Sequence, residues 1–180
     1  GEYEFLFLTD LHLAVKTRED VGIYGNADDR IKGFSNAKGT VSSKHLPQWI
    51  SYANKREIDA VLMGGDIIDY YSDANAEYLY RYMEQLEMPY IFTLGNHEWF
   101  SPWDEDVSEE SVLYELFQGR NEAFQILEYE DFVICAIDNE AYDVSEQSLA
   151  AMREWLNANS DKPMILLAHV PFYTEQNRSL

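Results

Sequence analysis

Five side chains of metal-binding type, Asp10, His12, Asp66, Asn96 and His169, each stand just past a short apolar run. Carboxylate, imidazole and amide donors mixed in this way suit borderline divalent ions such as Mn, Fe, Ni or Zn. Ca and Mg favour shells built wholly of oxygen. Asp10 and His12 are two residues apart, so extended backbone would project both the same way, a bidentate reach for one ion. Asp66, in Gly65-Asp66-Ile67-Ile68-Asp69, supplies a carboxylate able to bridge two ions. Two cations about 3.5–4 Å apart hold a phosphoryl group, lower the pKa of a water between them and stabilise both oxygens of an in-line displacement. That chemistry is phosphate-ester hydrolysis without a protein nucleophile.

Taken singly, each residue has a plainer reading. An aspartate after a strand is more often a turn residue or a helix cap than a ligand. Asn96 can simply accept positive φ after Gly95, and His169 can be a satisfied histidine before Pro171. Their common position at the ends of apolar runs favours the metal reading, because the carboxyl-end rim of an α/β sheet is where ligands bind.

The elements that must position them follow from the apolar pattern. Residues 58–63 lead into Gly64-Gly65-Asp66 and read as a central buried strand. Residues 3–8, 90–94 and 163–168 read as further buried strands, ending respectively at Asp10, at Gly95-Asn96-His97-Glu98 and at His169. Residues 124–129 and 132–137 read as a hairpin and an antiparallel portion. Helical spacing appears over 46–57, with Pro47 in the first turn, and over 73–87 with Ser72 or Asp73 as cap. It returns after Ser145, with Leu149, Met152, Trp155 and Leu156 on one face. Successive passages from strand through helix to strand imply right-handed crossovers and a parallel core. Residues 13–44, with four glycines and no sustained apolar period, read as a long excursion. A short helix is expected over 109–117, and the acidic run 104–110 reads as a solvated loop or a lid.

A chain of 180 residues, 46% apolar and 14% aromatic, is expected to form a single globular domain over 1–180. Its net charge of −20 disfavours nucleic acid, anionic lipid and a nuclease function, and requires a phosphate-bearing substrate to meet cations at its site. The one cysteine, Cys135, excludes an internal disulfide framework and is expected to be a small buried hydrophobe in a reducing, cytoplasmic setting. No run approaches the ~18 apolar residues of a membrane span.

Asp10-Leu11-His12, Gly65-Asp66-Ile67-Ile68-Asp69, Gly95-Asn96-His97-Glu98 and His169-Val170-Pro171 together resemble, in order, four of the five signature blocks of calcineurin-like metallophosphoesterases. The resemblance covers residues 3 to about 173. It implies an α/β fold, a mixed β-sandwich flanked by helices, here without its C-terminal strands. It further implies that Asp10, His12 and Asp66 hold one divalent or trivalent transition-metal ion (Mn, Fe, Zn or Ni). Asp66, Asn96 and His169 would hold a second, with Asp66 bridging. By the same likeness His97 is no ligand; it assists the leaving oxygen and is oriented by Asp69. The implied activity is hydrolysis of a small-molecule phosphate monoester or diester by a hydroxide held between the metals.

The family's fifth block, Gly-His-x-His, has no counterpart, since no histidine follows His169. The chain is therefore expected to represent a domain truncated at its C-terminus. A non-catalytic binding or scaffolding module of the same fold is the alternative. His45 falls outside the block order and is expected at the surface or a helix cap. The Tyr and Trp side chains read more readily as core, though Trp99, Phe100 and Trp103, directly after the Gly95–Glu98 block, could wall the pocket. Asp138 is a candidate outer-shell residue.

Overall fold

The computed structural model describes residues 1–15, 27–101, 124–139, 143–159 and 161–172. The helix expected over 109–117, the acidic run 104–110 and Trp103 lie outside the described residues. In chain order the elements are β1 (Phe5–Leu8), α1 (Ala27–Gly33), α2 (Ser42–Arg56), β2 (Ala60–Met63) and α3 (Asp73–Met83). There follow β3 (Tyr90–Phe92), β4 (Phe124–Glu128), β5 (Val133–Ile137), α4 (Glu146–Ala158) and β6 (Met164–Leu167). Among the described residues no helix is long and apolar enough to cross a membrane.

Two three-stranded sheets result. The first, ordered β1–β2–β3, is parallel throughout, with Phe7 opposite Leu62 and Leu62 opposite Ile91. The second, ordered β4–β5–β6, joins the expected antiparallel hairpin to a parallel pairing of β5 with β6. Side chains alternate across a strand, so each central strand serves two cores. Ala60 and Leu62 of β2 meet Ile91, Ile134, Ala136 and Leu167 between the sheets. Val61 and Met63 face the other way, against Leu46, Ile50 and Ala53 of α2 and Ala76, Leu79 and Met83 of α3. On the far side, Val133 and Cys135 of β5 pack with Met152 and Trp155 of α4. The architecture is a mixed β-sandwich with helices on both outer faces. Each fully buried side chain of this size contributes roughly 1.5–3 kcal/mol. Buried polar links tie the sheets together: Gln125 Nε2 donates to the Phe92 carbonyl at 2.7 Å and Thr93 Oγ1 to that of Ile137 at 2.9 Å.

Three expectations need correction. Helix α2 begins at Ser42, four residues earlier than 46, so Pro47 lies inside it. A proline there removes the N–H owed to the Ser43 carbonyl. The Tyr78 hydroxyl, arriving from α3, donates to that carbonyl at 2.6 Å and replaces the lost bond. Helix α3 ends at Met83 rather than 87, and Ser72 is its cap, accepting the Asn75 N–H at 3.1 Å. Strands β1 and β6, expected to be buried, sit at the ends of their sheet orders. Phe7 is 55% exposed, Ile165 49% and Leu166 39%, since among the described residues only one side of each strand carries a neighbour. The Ser145 cap of α4 is as expected, its Oγ accepting the Ser148 N–H.

Candidate metal centre

The loops leaving β1 and β2 continue to pair after the strands end. The Asp10 N–H donates to the Gly65 carbonyl, that of His12 to Asp66, and that of Leu13 to Ile67, at 3.0, 2.9 and 2.8 Å. The pairing closes with the Asp69 N–H on the Leu13 carbonyl at 2.9 Å. Asp10, His12 and Asp66 all adopt left-handed backbone, with φ of 52°, 43° and 50°. Such conformations in residues bearing a side chain cost energy and persist where the surroundings impose them. Here the imposed turns bring the side chains of both loops together.

Around Asp66 the chain gathers imidazoles. His12 Nε2 lies 3.8 Å and His97 Nε2 4.0 Å from Asp66 Oδ2, and His169 Nε2 lies 3.4 Å from Oδ1. Two sets of donor atoms each fall within 4.8 Å of one another: His12, Asp66 and His97, and Asp10, Asp66 and His169. Asp66 belongs to both. Asn96 stands exposed in the turn between Gly95 and His97. The resemblance pairs Asp10 with His12 and leaves His97 aside, whereas the geometry groups His97 with His12 and Asp10 with His169.

The Nδ1 of each of these histidines meets an oxygen. His97 Nδ1 donates to the Asp69 carbonyl at 2.5 Å and His169 Nδ1 to the Gly64 carbonyl at 2.8 Å. A carbonyl can only accept, so the proton in both rings is on Nδ1. His12 Nδ1 lies 3.2 Å from the Asp69 carboxylate, which fixes the same tautomer. All three rings therefore turn Nε2 toward Asp66, the arrangement by which outer partners orient metal-binding histidines. The resemblance sets Asp69 to orient His97; the atom nearest His97 Nδ1 is the Asp69 carbonyl oxygen, and the carboxylate lies 3.5 Å away.

Asp69 is almost fully buried and held by Arg30, whose Nε and Nη2 reach its two oxygens at 2.5 and 2.6 Å. Burial pushes the Asp69 carboxyl up, but hydrogen bonds from Arg30 and His12 outweigh it and hold the group below the ordinary carboxylate range. Asp66 behaves likewise. Burial raises its pKa, while the hydrogen bonds from His169 and from the His97 N–H bring it below the ordinary value. The Asp66 contact raises His169 to about 9, against the opposing effect of burial.

Glycines leave the space these groups need. A Cβ at Gly95 would run into Asp66 Oδ1, and one at Gly65, where φ is +88°, would stand 2.6 Å from His169 Nδ1. Carboxylates, imidazoles with Nε2 turned to Asp66 and an open glycine cradle fit borderline transition-metal ions.

Sequence reasoning missed three supports. Arg30 lies in a stretch without periodicity. Glu98, though part of the Gly95-Asn96-His97-Glu98 block, was given no role. It is buried and accepts the main-chain N–H groups of Asp66, Ile67, Ile68 and Gly95 at 2.6–3.0 Å. Asn139, beside the expected Asp138, accepts the N–H groups of His169 and Val170 and fixes that turn. An acid or amide after an apolar run is the one sequence signal that Glu98 and Asn139 offered, and Arg30 offered none. Trp99 packs against the core.

Residues 3–180 match the family model of calcineurin-like phosphoesterases. The chain belongs to that family of metal-dependent phosphoesterases. Among solved structures it resembles a dimetal phosphatase from Danio rerio, with a TM-score of 0.60 over 95% of this chain and 70% of that one. The two are 13% identical, so the likeness concerns the fold. Comparison with curated proteins finds no match.

Proposed function

We propose that this chain hydrolyses a small-molecule phosphate monoester or diester with two transition-metal ions held around Asp66. Asp10, His12 and Asp66 would hold one ion, and Asp66, Asn96 and His169 the other. The observation that carries the reading is the common orientation of His12, His97 and His169, each held at Nδ1 with Nε2 turned to Asp66. When bound, such ions supply Lewis acidity for the phosphoryl oxygens and an activated water. Asp66, its carboxyl held ionised, lies between the two donor sets. His97, anchored by the Asp69 carbonyl, would face the leaving oxygen with Nε2 and pass it the Nε2 proton of a doubly protonated ring. Asp69 and Arg30 fix the ring positions of His12 and His97.

Elemental analysis and hydrolysis of aryl phosphate esters after Mn loading test this. Wild type should retain two Mn per chain and release product. Asp66→Asn should lose metal and turnover together, and His97→Ala should keep metal while losing at least about 100-fold in kcat. Equal metal loss in both variants would refute the separate role of His97. Two Mn bound without hydrolysis of either ester class would make the chain a binding module.

A further inference from the structure

A cavity of about 470 Å³ opens beside Asp10, within the range of small-molecule sites. One wall is the connection from α1 to α2, and the other is the first two turns of α2. Ser42, His45 and Trp49, three and then four residues apart, share one helix face there. The connection is tied to that helix. Asn36 Oδ1 accepts the N–H groups of Lys38 and Thr40 at 2.9 and 3.0 Å, while its Nδ2 lies 3.0 Å from His45 Nε2. A wall fixed in this way loses little freedom when a ligand arrives.

Two stacked ring pairs bound the space. Phe34 lies on His12, with centroids 3.9 Å apart and planes 14° from parallel, yet remains 40% exposed. His45 lies on Trp49 at 5.4 Å and 19°. The remaining lining is Leu11, the Asp10 carboxylate, the Asn36 amide and the hydroxyls of Ser35, Thr40 and Ser42. Among the described residues that line it, Asp10 is the one carboxylate and none is Lys or Arg, on a chain of net charge −20. Among the described lining residues a second phosphate would meet no lysine or arginine, and Arg30, 5.8 Å over the Phe34 ring, is already committed to Asp69. Flat, uncharged rings match aromatic walls without a lysine or arginine among them.

We propose that this cavity receives a planar, uncharged aromatic group carried by the phosphate ester, with Phe34 and Trp49 as its aromatic walls. The assignment rests on the phosphoesterase reading above, since Asp10 joins the cavity to the metal centre. His45, expected at the surface or a cap, becomes a wall of the substrate site.

Phosphonates, whose carbon–phosphorus bond resists hydrolysis, separate binding from turnover. Titration calorimetry on Mn-loaded protein would compare phenylphosphonate with methylphosphonate. Wild type should bind the phenyl compound about tenfold more tightly, the size of a stacking contact. Trp49→Ala and Phe34→Ala should each bring the two affinities within about threefold. Trp49 also packs on the core, so if its variant no longer melts cooperatively, the comparison rests on Phe34→Ala, whose ring is the more exposed. Equal affinities in wild type, binding of neither compound, or a preference surviving both substitutions overturns the assignment. Phosphate release from 4-nitrophenyl phosphate reports separately on the hydrolytic reading. No release alongside an intact phenyl preference overturns that reading and leaves the cavity assignment supported.

Discussion

The Glu98 carboxylate holds the main chain of Asp66: its Oε2 accepts the Asp66 N–H at 2.9 Å across 32 residues of sequence. The same oxygen accepts the Gly95 N–H at 2.6 Å, so one buried side chain fastens the second and third signature loops to each other. Burial lifts the Glu98 carboxyl to about 7 while these N–H donors pull it down.

Removing that carboxylate should loosen the whole site. Glu98→Ala leaves four main-chain donors without their acceptor, at about 1–3 kcal/mol each, and is expected to lower stability by at least about 3 kcal/mol. Glu98→Gln, keeping one acceptor oxygen but turning an NH2 toward donors, should fall between. Urea midpoints measure both, and an Ala variant as stable as wild type would contradict the anchoring role.

Arg30 should matter through geometry rather than charge alone. Lys cannot reproduce the two-pronged contact with Asp69, so Arg30→Lys should lower kcat about tenfold or more while two Mn remain bound. Arg30→Met should be no less impaired. Full turnover in Arg30→Lys would show that the fork is dispensable.

Gly95→Ala places a methyl group on Asp66 Oδ1 and should lower both metal content and thermal midpoint, the latter by several degrees. Gly33→Ala, with nothing within 4 Å of the added carbon, should be neutral or slightly stabilising. Similar losses in both would mean that crowding at Asp66 is not the cause.

Cys135 supplies a pH test away from the metal centre. Burial, then the Glu128 charge, raises its thiol from 9.0 to about 11. The fold thus favours the neutral thiol, and this contribution is fully present below pH 9 and lost as pH rises through 11. Thiol reagents at pH 8 should react after unfolding and not before. Between pH 9 and 11 the urea midpoint of wild type should fall more than that of Cys135→Ala; parallel curves would contradict the assignment.

Much of this arrangement is legible in the residues themselves. Short apolar runs followed by Gly, Asp, Asn or His mark β2, β3 and β6 and the loops beyond them. A buried strand has to be apolar, and its exit has to turn. Exposure is less legible, because Ile165 and Leu166 carry the composition of a buried strand whether or not a neighbour covers them. Pro47 reads as a first-turn residue because its interior position depends on Tyr78, more than 30 residues away. Arg30, Glu98 and Asn139 act across 30 to 39 residues, on partners that adjacency in sequence does not reveal. His45 and Trp49 give a helical spacing, but the opposing wall that makes them a cavity comes from an aperiodic stretch.

The alternation along β2 and β5 bears on how the molecule comes apart. Val61 and Met63 belong to one core and Ala60 and Leu62 to the next, while Ile134 and Cys135 repeat the division one layer further out. Neighbouring cores thus share a backbone, and a strand cannot leave one without dissolving the other. A single-residue slip in β2 would exchange the occupants of two cores at once. The three cores are links of one chain, and melting should proceed in one cooperative step, with no population in which one sheet survives the other.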